Sequence, residues 1–193
     1  MPAKTLQRCD WPKTDLSIEY HDNEWGAPVH DDRLLFEALV LDGMQAGLSW
    51  EIVLRKRDRF REQFYDFEPS RVARMQKRTI ERLMQDAGII RNRMKIEAAV
   101  NNAKRCLEVT EAFGSFDAYL WRFVDGKPLR NRWKTLAQIP AKTTESDAMS
   151  KDLKERGFKF AGSTICYAIM QTVGMVNDHL VTCYRHRQIN KLK

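Results

Sequence analysis

Four side chains near the two ends of the chain have the donor atoms of a zinc site. Cys9 and His21 are 12 positions apart, a spacing that a loop can close. His179 and Cys183 are four positions apart, so on a helical turn they point the same way and can bind one ion. Alternatives stay open, because His21 also suits a cap or a core position. Two other histidines could serve as ligands instead: His30 and His186.

Two short segments, residues 19–26 and 41–50, combine aromatic rings with carboxylates. Tyrosine and tryptophan faces beside a carboxylate can bind a flat cationic ring, because the rings attract positive charge and the carboxylate accepts hydrogen bonds. The simpler interpretation is that Trp25 and Trp50 belong to the hydrophobic core. The residue types alone do not decide between a ligand pocket and a core.

A third feature is a glycine turn between two helical patterns within residues 79–100. Such a turn exposes backbone N–H groups at the positive end of the second helix, which favours phosphate binding. The element resembles a helix-hairpin-helix, which holds DNA without reading its sequence. An ordinary glycine-capped helical hairpin fits equally well. The residues predicted to contact DNA here are Gly88, Ile89, Ile90, Arg91, Arg93 and Lys95.

Charge is unevenly distributed along the 193 residues, whose net charge is +7. Residues 1–54 carry 4 basic and 10 acidic side chains, whereas residues 55–105 carry 15 basic and 7 acidic ones. The remaining residues carry 14 basic and 9 acidic ones. A polyanion such as nucleic acid is the simplest partner for this basic surface, and a merely solvated basic face is the alternative.

Composition limits the class of protein. With 43% hydrophobic and 31% charged residues, the chain is expected to be globular, which excludes collagen, coiled-coil rods and disordered chains. Its apolar runs are shorter than the roughly 18 residues of a membrane span, so no membrane association is expected. The first residues lack the apolar region of a secretory signal, which predicts a cytoplasmic location. Cys106 and Cys166 are expected to be buried thiols.

Hydrophobic spacing predicts an almost entirely helical chain, with no segment that alternates like a strand. Polar or proline residues predict the helix starts. These residues are Asp31, Ser49, Pro69, Thr79, Asn92, Ser115, Thr144 and Ser163. Gly88 is expected to end the helix that starts at Thr79. We predict one all-α domain over residues 1–193, with two closely joined lobes and the loosest connection at residues 126–141.

Five segments, in unbroken order, resemble the bacterial DNA-3-methyladenine glycosylase I family. They are residues 20–26 (YHDNEWG), 45–50 (QAGLSW), 86–91 (DAGIIR), 157–160 (GFKF) and 176–179 (VNDH). The resemblance extends over residues 8–184. It implies the helix-hairpin-helix glycosylase fold, with a Zn²⁺ ion joining the two chain ends. The implied ligands are Cys9, His21, His179 and Cys183.

The resemblance also implies the roles of pocket residues. Asp42 would bind the adenine edge of the base, Trp50 would stack on its ring, and Tyr20 would line the pocket. Trp25 and Trp11 are expected to complete the walls.

Two further residues, Gly47 and Leu48, match the segment that fills the gap left by a flipped nucleotide. The chain departs from the family at two positions. Asp42 stands where glutamate is usual, and Ser17 stands where a pocket tyrosine is usual. Both changes concern the tightness of base recognition.

The implied activity is hydrolysis of the N-glycosidic bond of 3-methyladenine in alkylated double-stranded DNA, after the nucleotide is flipped out. The methylated base is cationic and leaves readily, so the main task of the enzyme is to select the alkylated base. Asp42 is also expected to stabilise charge along the reaction path. No lysine nucleophile is evident, which favours a monofunctional enzyme that uses water, with no Schiff base and no strand cleavage. The enzyme is expected to be a monomer. A zinc ion with four protein ligands is structural. The alternative, motivated by Asp42 and Ser17, is a zinc-stabilised DNA-binding paralogue without turnover.

Overall fold

The computed structural model describes residues 6–192, which form ten α-helices and one pair of very short strands. The predicted domain limits of 1–193 therefore extend beyond the described residues at both ends. The helices are α1 (Asp15–Asn23), α2 (Asp32–Gln45), α3 (Trp50–Gln63), α4 (Pro69–Val72), α5 (Lys77–Leu83), α6 (Arg93–Phe113), α7 (Phe116–Trp121), α8 (Thr144–Glu155), α9 (Ser163–Thr172) and α10 (Tyr184–Ile189). Short 3₁₀ turns occupy Tyr65–Phe67, Arg122–Val124 and Leu136–Gln138. The prediction of a mainly helical protein is confirmed.

Within residues 6–192, none of the helices combines the length and the apolar character that a bilayer span requires.

Several helices begin where the sequence indicated. The side chains of Asp31, Asn92 and Ser115 accept hydrogen bonds from the first turns of α2, α6 and α7. The prediction for Thr79 is wrong, because α5 begins at Lys77 and places Thr79 inside the helix. Gly88 does not end α5 either. That helix stops at Leu83, and the Gly88 N–H donates to Asp86 Oδ1 (2.8 Å) in the turn that follows.

Two helices at the ends of the described chain were not predicted, α1 and α10. Both are short and mostly polar, so neither has a long apolar stripe. Helix α1 starts in a capping box, in which the Ser17 hydroxyl accepts from the Thr14 N–H (2.9 Å). Ser17 therefore caps a helix in this chain, and it does not line the aromatic cavity described below.

A pair of two-residue strands corrects the expectation of a strand-free chain. Strand β1 (Leu129–Arg130) runs parallel to β2 (Val176–Asn177), with Leu129 opposite Val176. Two residues are too few to produce a recognisable alternation. The pairing attaches the connection after Gly126, predicted to be the loosest in the chain, to the segment that follows α9.

Helix α2 lies at the centre of the core. It packs against α3, α6, α7 and α9, and every residue from Leu35 to Met44 is buried. A helix that is covered on all sides needs apolar residues all round, which the sequence FEALVLDGM supplies except at two carboxylates. Those exceptions, Glu37 and Asp42, are only 5% and 3% exposed. The second of them faces the candidate site.

The end of α9 packs closely on the segment after α1. The Val29 N–H donates to the Val173 carbonyl (3.1 Å), and Gly174 follows with φ +71°. A Cβ atom at Gly174 would lie 2.4 Å from the Ala27 carbonyl carbon. Backbone on both sides of this contact leaves no flexible atom to move away.

We expect Gly174→Ala to lower the free energy of unfolding by about 3 kcal/mol or more, from left-handed backbone strain and backbone overlap. Gly126→Ala is the matched control, because its φ is +69° and no atom lies within 4 Å of the new Cβ. The control is expected to cost only about 1–2 kcal/mol. Urea unfolding of the three proteins measures both values, and equal losses would contradict the packing argument.

Candidate functional site

A cavity of about 230 Å³ lies where α1, α2, the start of α3 and the end of α9 meet. Its lining residues are Trp11, Tyr20, Trp25, Asp42, Gln45, Trp50, Ile139, Ala168, Gln171 and Thr172. The structure thus brings together all five residues that the sequence assigned to a pocket. The volume is below the roughly 300–1,000 Å³ of sites for drug-sized ligands, so it suits a single heterocycle.

Aromatic rings form much of the cavity wall. Tyr20 and Trp50 have centroids 5.4 Å apart and tilted by 51°, and Trp11 and Trp25 are 5.2 Å apart at 73°. Tilted and edge-to-face contacts are favourable for aromatic pairs and hold each ring in one orientation. The result is a rigid cavity whose walls offer π faces to a flat ligand.

Asp42 supplies the carboxylate of the cavity. Burial raises the pKa of Asp42 to about 8, and the nearby Thr172 side chain opposes this by a smaller amount. Asp42 Oδ2 has no hydrogen-bond partner among the described residues, and neither have the indole N–H groups of Trp11 and Trp50. Buried polar atoms are normally paired, so these three atoms indicate a ligand with its own polar edge.

Three polar residues of the cavity were missed by the sequence analysis: Gln45, Gln171 and Thr172. Tyr20 donates its phenol O–H to Thr172 Oγ1 (3.4 Å), and Gln171 Nε2 donates to Asp178 Oδ2 (2.8 Å). Gln45 was visible as the first residue of the QAGLSW segment. Gln171 and Thr172 lie at the end of α9, where only helical spacing was apparent.

Asp178 is a buried carboxylate that receives four hydrogen bonds and is only 1% exposed. Asn131 Nδ2 and Trp133 Nε1 both donate to Oδ1 at 2.7 Å. Tyr167 donates its O–H to Oδ2 at 2.6 Å, beside Gln171. Asp178 therefore joins the segment after β1 to α9, immediately before His179.

Cys9, His21 and Cys183 form a buried cluster whose ligand atoms all lie within 4.8 Å of one another. His21 Nε2 is 3.5 Å from Cys183 Sγ, and His21 Nδ1 is 2.8 Å from Asp22 Oδ1. A carboxylate on the second ring nitrogen is the usual way to orient a metal-binding histidine. The predicted helical turn is wrong, because α10 begins only at Tyr184 and Cys183 is its N-cap.

His179 lies beside this cluster, with its ring centroid 4.9 Å from that of His21. Its Nε2 is buried and has no partner among the described residues, whereas Nδ1 is 3.1 Å from Asn177 Oδ1. Gly26 allows the His179 ring to lie close to the backbone, since a Cβ atom at position 26 would be 2.8 Å from His179 Cε1. The donor set of two thiols and two imidazoles, one with an orphaned nitrogen, fits Zn²⁺.

The two competing histidines are engaged elsewhere. His30 Nδ1 pairs with Asp117 Oδ1 (2.8 Å), and His186 Nε2 is 2.9 Å from the Asn131 carbonyl. Neither belongs to the Cys9, His21 and Cys183 cluster.

The turn between α2 and α3 carries the residues predicted to fill a gap in DNA. Gly47 has φ +75°, and Leu48 is 40% exposed, although leucine is apolar. Lys95 supports this turn, because its ammonium donates to the carbonyls of Met44 (2.8 Å) and Ala46 (2.6 Å). Burial lowers the pKa of Lys95. The expectation that Lys95 offers its charge to phosphate is therefore corrected, since the ammonium caps α2.

The predicted hairpin is the turn between α5 and α6, and its residues have different environments. Ile89 is 2% exposed and belongs to the core, while Gly88 and Ile90 are half-buried. Arg91 is exposed. Arg93 is exposed as well, and it makes a two-point ion pair with Glu81 (2.9 and 2.7 Å). Of the basic residues predicted to contact DNA here, Arg91 is thus the one whose exposed side chain is best suited to bind a phosphate.

Comparisons with known proteins agree with this geometry. The family model described as methyladenine glycosylase matches residues 11–186. DNA-3-methyladenine glycosylase 1 of Escherichia coli (strain K12) is 51% identical over 179 residues, covering 92% of this chain and 96% of that protein. DNA-3-methyladenine glycosylase of Haemophilus influenzae is 47% identical over 177 residues, covering 91% and 96%.

Solved structures give the same result. A crystal structure of 3-methyladenine DNA glycosylase I superposes with a TM-score of 0.89 at 51% identity, covering 92% of this chain and 98% of that one. The Staphylococcus aureus enzyme, described for its recognition of 3-methyladenine, superposes with a TM-score of 0.87 at 38% identity, covering 89% and 92%. The chain belongs to the methyladenine glycosylase family.

Proposed function

We propose that the protein is a DNA repair glycosylase that hydrolyses the N-glycosidic bond of 3-methyladenine in alkylated double-stranded DNA. The observation that carries this proposal is the unpaired carboxylate oxygen of Asp42, buried in the wall of an aromatic cavity of heterocycle size. The names of the E. coli and H. influenzae relatives support the same substrate.

Selection follows from charge. Methylation at N3 gives the adenine of DNA a positive charge, which both weakens its glycosidic bond and distinguishes it from normal bases. The faces of Trp50 and Tyr20 attract a cationic ring, and Asp42 accepts hydrogen bonds from its amine edge. Unmodified adenine lacks the positive charge, so it gains much less from these contacts.

The charge state of Asp42 is coupled to the ligand. With a pKa of about 8, its carboxyl group is mostly protonated at neutral pH in the protein alone. A cationic base in contact with the carboxyl group favours the ionised form. Binding of the cation at neutral pH therefore releases a proton from Asp42 to solvent. The resulting ion pair stabilises the positive charge until the glycosidic bond breaks.

Access to the base requires the nucleotide to leave the duplex, at a cost of a few kcal/mol. In this proposal the exposed Leu48 enters the space that the nucleotide vacates, and Arg91 of the α5–α6 turn binds the DNA backbone. Water then bonds to the sugar carbon and loses a proton to solvent, while the cationic base departs with the bonding electrons as a neutral molecule. Among residues 6–192, no lysine lines the cavity, which is consistent with hydrolysis without strand cleavage. We expect the enzyme to act as a monomer.

We further propose that Zn²⁺ binds Cys9, His21, His179 and Cys183. The buried cluster and the orphaned His179 Nε2 support this set. Four protein ligands leave no open position, so the ion supplies a cross-link between the two ends of the chain. That cross-link holds α1, and with it Tyr20, against the segment after α9.

We expect the purified protein to release 3-methyladenine from methylated duplex DNA, measured by chromatography of the free bases against a control without enzyme. Asp42→Asn and Trp50→Ala are expected to reduce release by roughly 10- to 100-fold or more through loss of charge-assisted and cation–π contacts. Binding to undamaged DNA should change little. Asp58→Asn, at a side chain that is 93% exposed, is the matched control.

DNA binding without any release by the native chain would contradict the glycosylase proposal. It would favour the alternative, a zinc-stabilised DNA-binding protein without turnover, whose binding would fall steeply with salt. Equal loss of release and of undamaged-DNA binding in the two variants would instead assign Asp42 and Trp50 to the fold.

The raised pKa of Asp42 predicts a pH-dependent stability. A carboxyl group that holds its proton more tightly when folded stabilises the protein fully below its unfolded pKa, and this contribution is lost as pH rises towards 8. The stability of the native protein relative to Asp42→Asn should therefore fall from pH 5 to pH 8, by up to about 1.4 kcal/mol per pH unit. Urea unfolding at each pH measures it, and a constant difference would contradict the assigned pKa.

The zinc proposal predicts that His179→Ala lowers zinc content and melting temperature together, because the ion loses one of four ligands. His30→Ala is the matched control, since His30 lies outside the cluster and pairs with Asp117. Elemental analysis and calorimetry measure the two quantities. A His179→Ala protein that keeps one zinc per chain and its native melting temperature would refute the assignment.

A further inference from the structure

Gln171 is a cavity residue whose amide orientation is fixed by the fold. Gln171 is the second-to-last residue of α9, and it lines the same cavity as Asp42. Its Nε2 donates to Asp178 Oδ2 at 2.8 Å. An amide has a donor end and an acceptor end, so the position of Nε2 determines where Oε1 must lie.

Asp178 allows only one orientation of this amide. The carboxylate already receives hydrogen bonds from Asn131, Trp133 and Tyr167, at 2.6–2.7 Å. These donors come from two segments and leave Oδ2 as an acceptor for a fourth. Reversal of the amide would bring Gln171 Oε1 against Oδ2, two acceptors facing each other in a buried site. Oε1 is therefore the polar atom that Gln171 can offer to the cavity.

We infer that Gln171 is a specificity-determining residue, whose Oε1 accepts a hydrogen bond from the exocyclic amine of the bound base. The inference rests on the proposed function, in which Asp42 is the first hydrogen-bond acceptor for the base and Gln171 is the second. An amino group has two N–H bonds, so two acceptors on different walls, from α2 and α9, satisfy it fully. A base with a carbonyl oxygen at this position, such as 3-methylguanine, would meet an acceptor that cannot turn away.

This arrangement assigns different tasks to the two residues. Asp42 can change its protonation and so responds to the charge of the base, whereas the Gln171 amide has no charge to change. Asp42 thus detects alkylation, and Gln171 detects the amine that distinguishes adenine from guanine. Asp178 acts through Gln171 as a positioning residue.

The test compares two free bases, 3-methyladenine and 3-methylpurine, which differ by the exocyclic amine. Binding of each to the native protein and to Gln171→Met is measured by calorimetry. Methionine keeps the length of the side chain and removes the acceptor. We expect Gln171→Met to weaken the binding of 3-methyladenine by about five- to tenfold, which is the effect of one hydrogen bond. The affinity for 3-methylpurine should change by less than about twofold.

Gln85→Met, at an exposed position of the α5–α6 turn, is the matched control and should change neither affinity. Equal weakening of both bases by Gln171→Met would make Gln171 a packing residue and overturn the inference. Unchanged binding of 3-methyladenine would overturn it as well. Either result can occur while the native protein still releases 3-methyladenine from DNA, so failure of the inference is distinguishable from failure of the proposed function.

Discussion

The four hydrogen bonds on Asp178 are the constraint on which both candidate sites depend. Burying a carboxylate costs less free energy when hydrogen-bond donors replace its water, and for Asp178 these donors come from the segment after β1 and from α9. On one side the carboxylate orients Gln171 in the cavity wall. On the other side the chain continues directly into His179 at the Cys and His cluster. Removal of this one side chain would take away the acceptor of four hydrogen bonds, including the one that orients Gln171.

Two buried carboxylates in this molecule have opposite surroundings, and the contrast explains their tasks. Asp178 has four donors, whereas Asp42 has an oxygen with no partner among residues 6–192 and a pKa raised to about 8. Satisfied polar groups rigidify a fold, and an unsatisfied one stores free energy that a ligand can recover. A fully hydrogen-bonded carboxylate therefore orients one wall of the cavity, and the cavity itself holds a carboxylate that is not fully hydrogen-bonded. This is the arrangement that a preformed recognition site requires.

Much of the architecture was readable from local signals. Asp31, Asn92 and Ser115 are caps because their side chains compete well for the first helical N–H groups, and that competition is a property of a few neighbouring residues. The pocket aromatics were assigned through resemblance, and the structure places them around one cavity. The features that the sequence did not predict depend on contacts between residues far apart in the chain. The donors Trp133 and Asn131 are 45 and 47 positions from Asp178, and no local pattern marks such pairs. Lys95 was misassigned for the same reason, because its charge was visible and the carbonyls that it caps were not.

The cavity draws its walls from both ends of the described chain, with Trp11, Tyr20 and Trp25 on one side and Gln171 and Thr172 on the other. This order has a consequence for a chain that emerges from the ribosome N-terminus first. The aromatic residues that would bind a base are made early, yet they have no opposing wall until about 150 further residues have been added. A chain that ends before α9 lacks Gln171 and Thr172, and so it lacks the wall that would enclose a purine. Base recognition is therefore acquired only after α9 has been made.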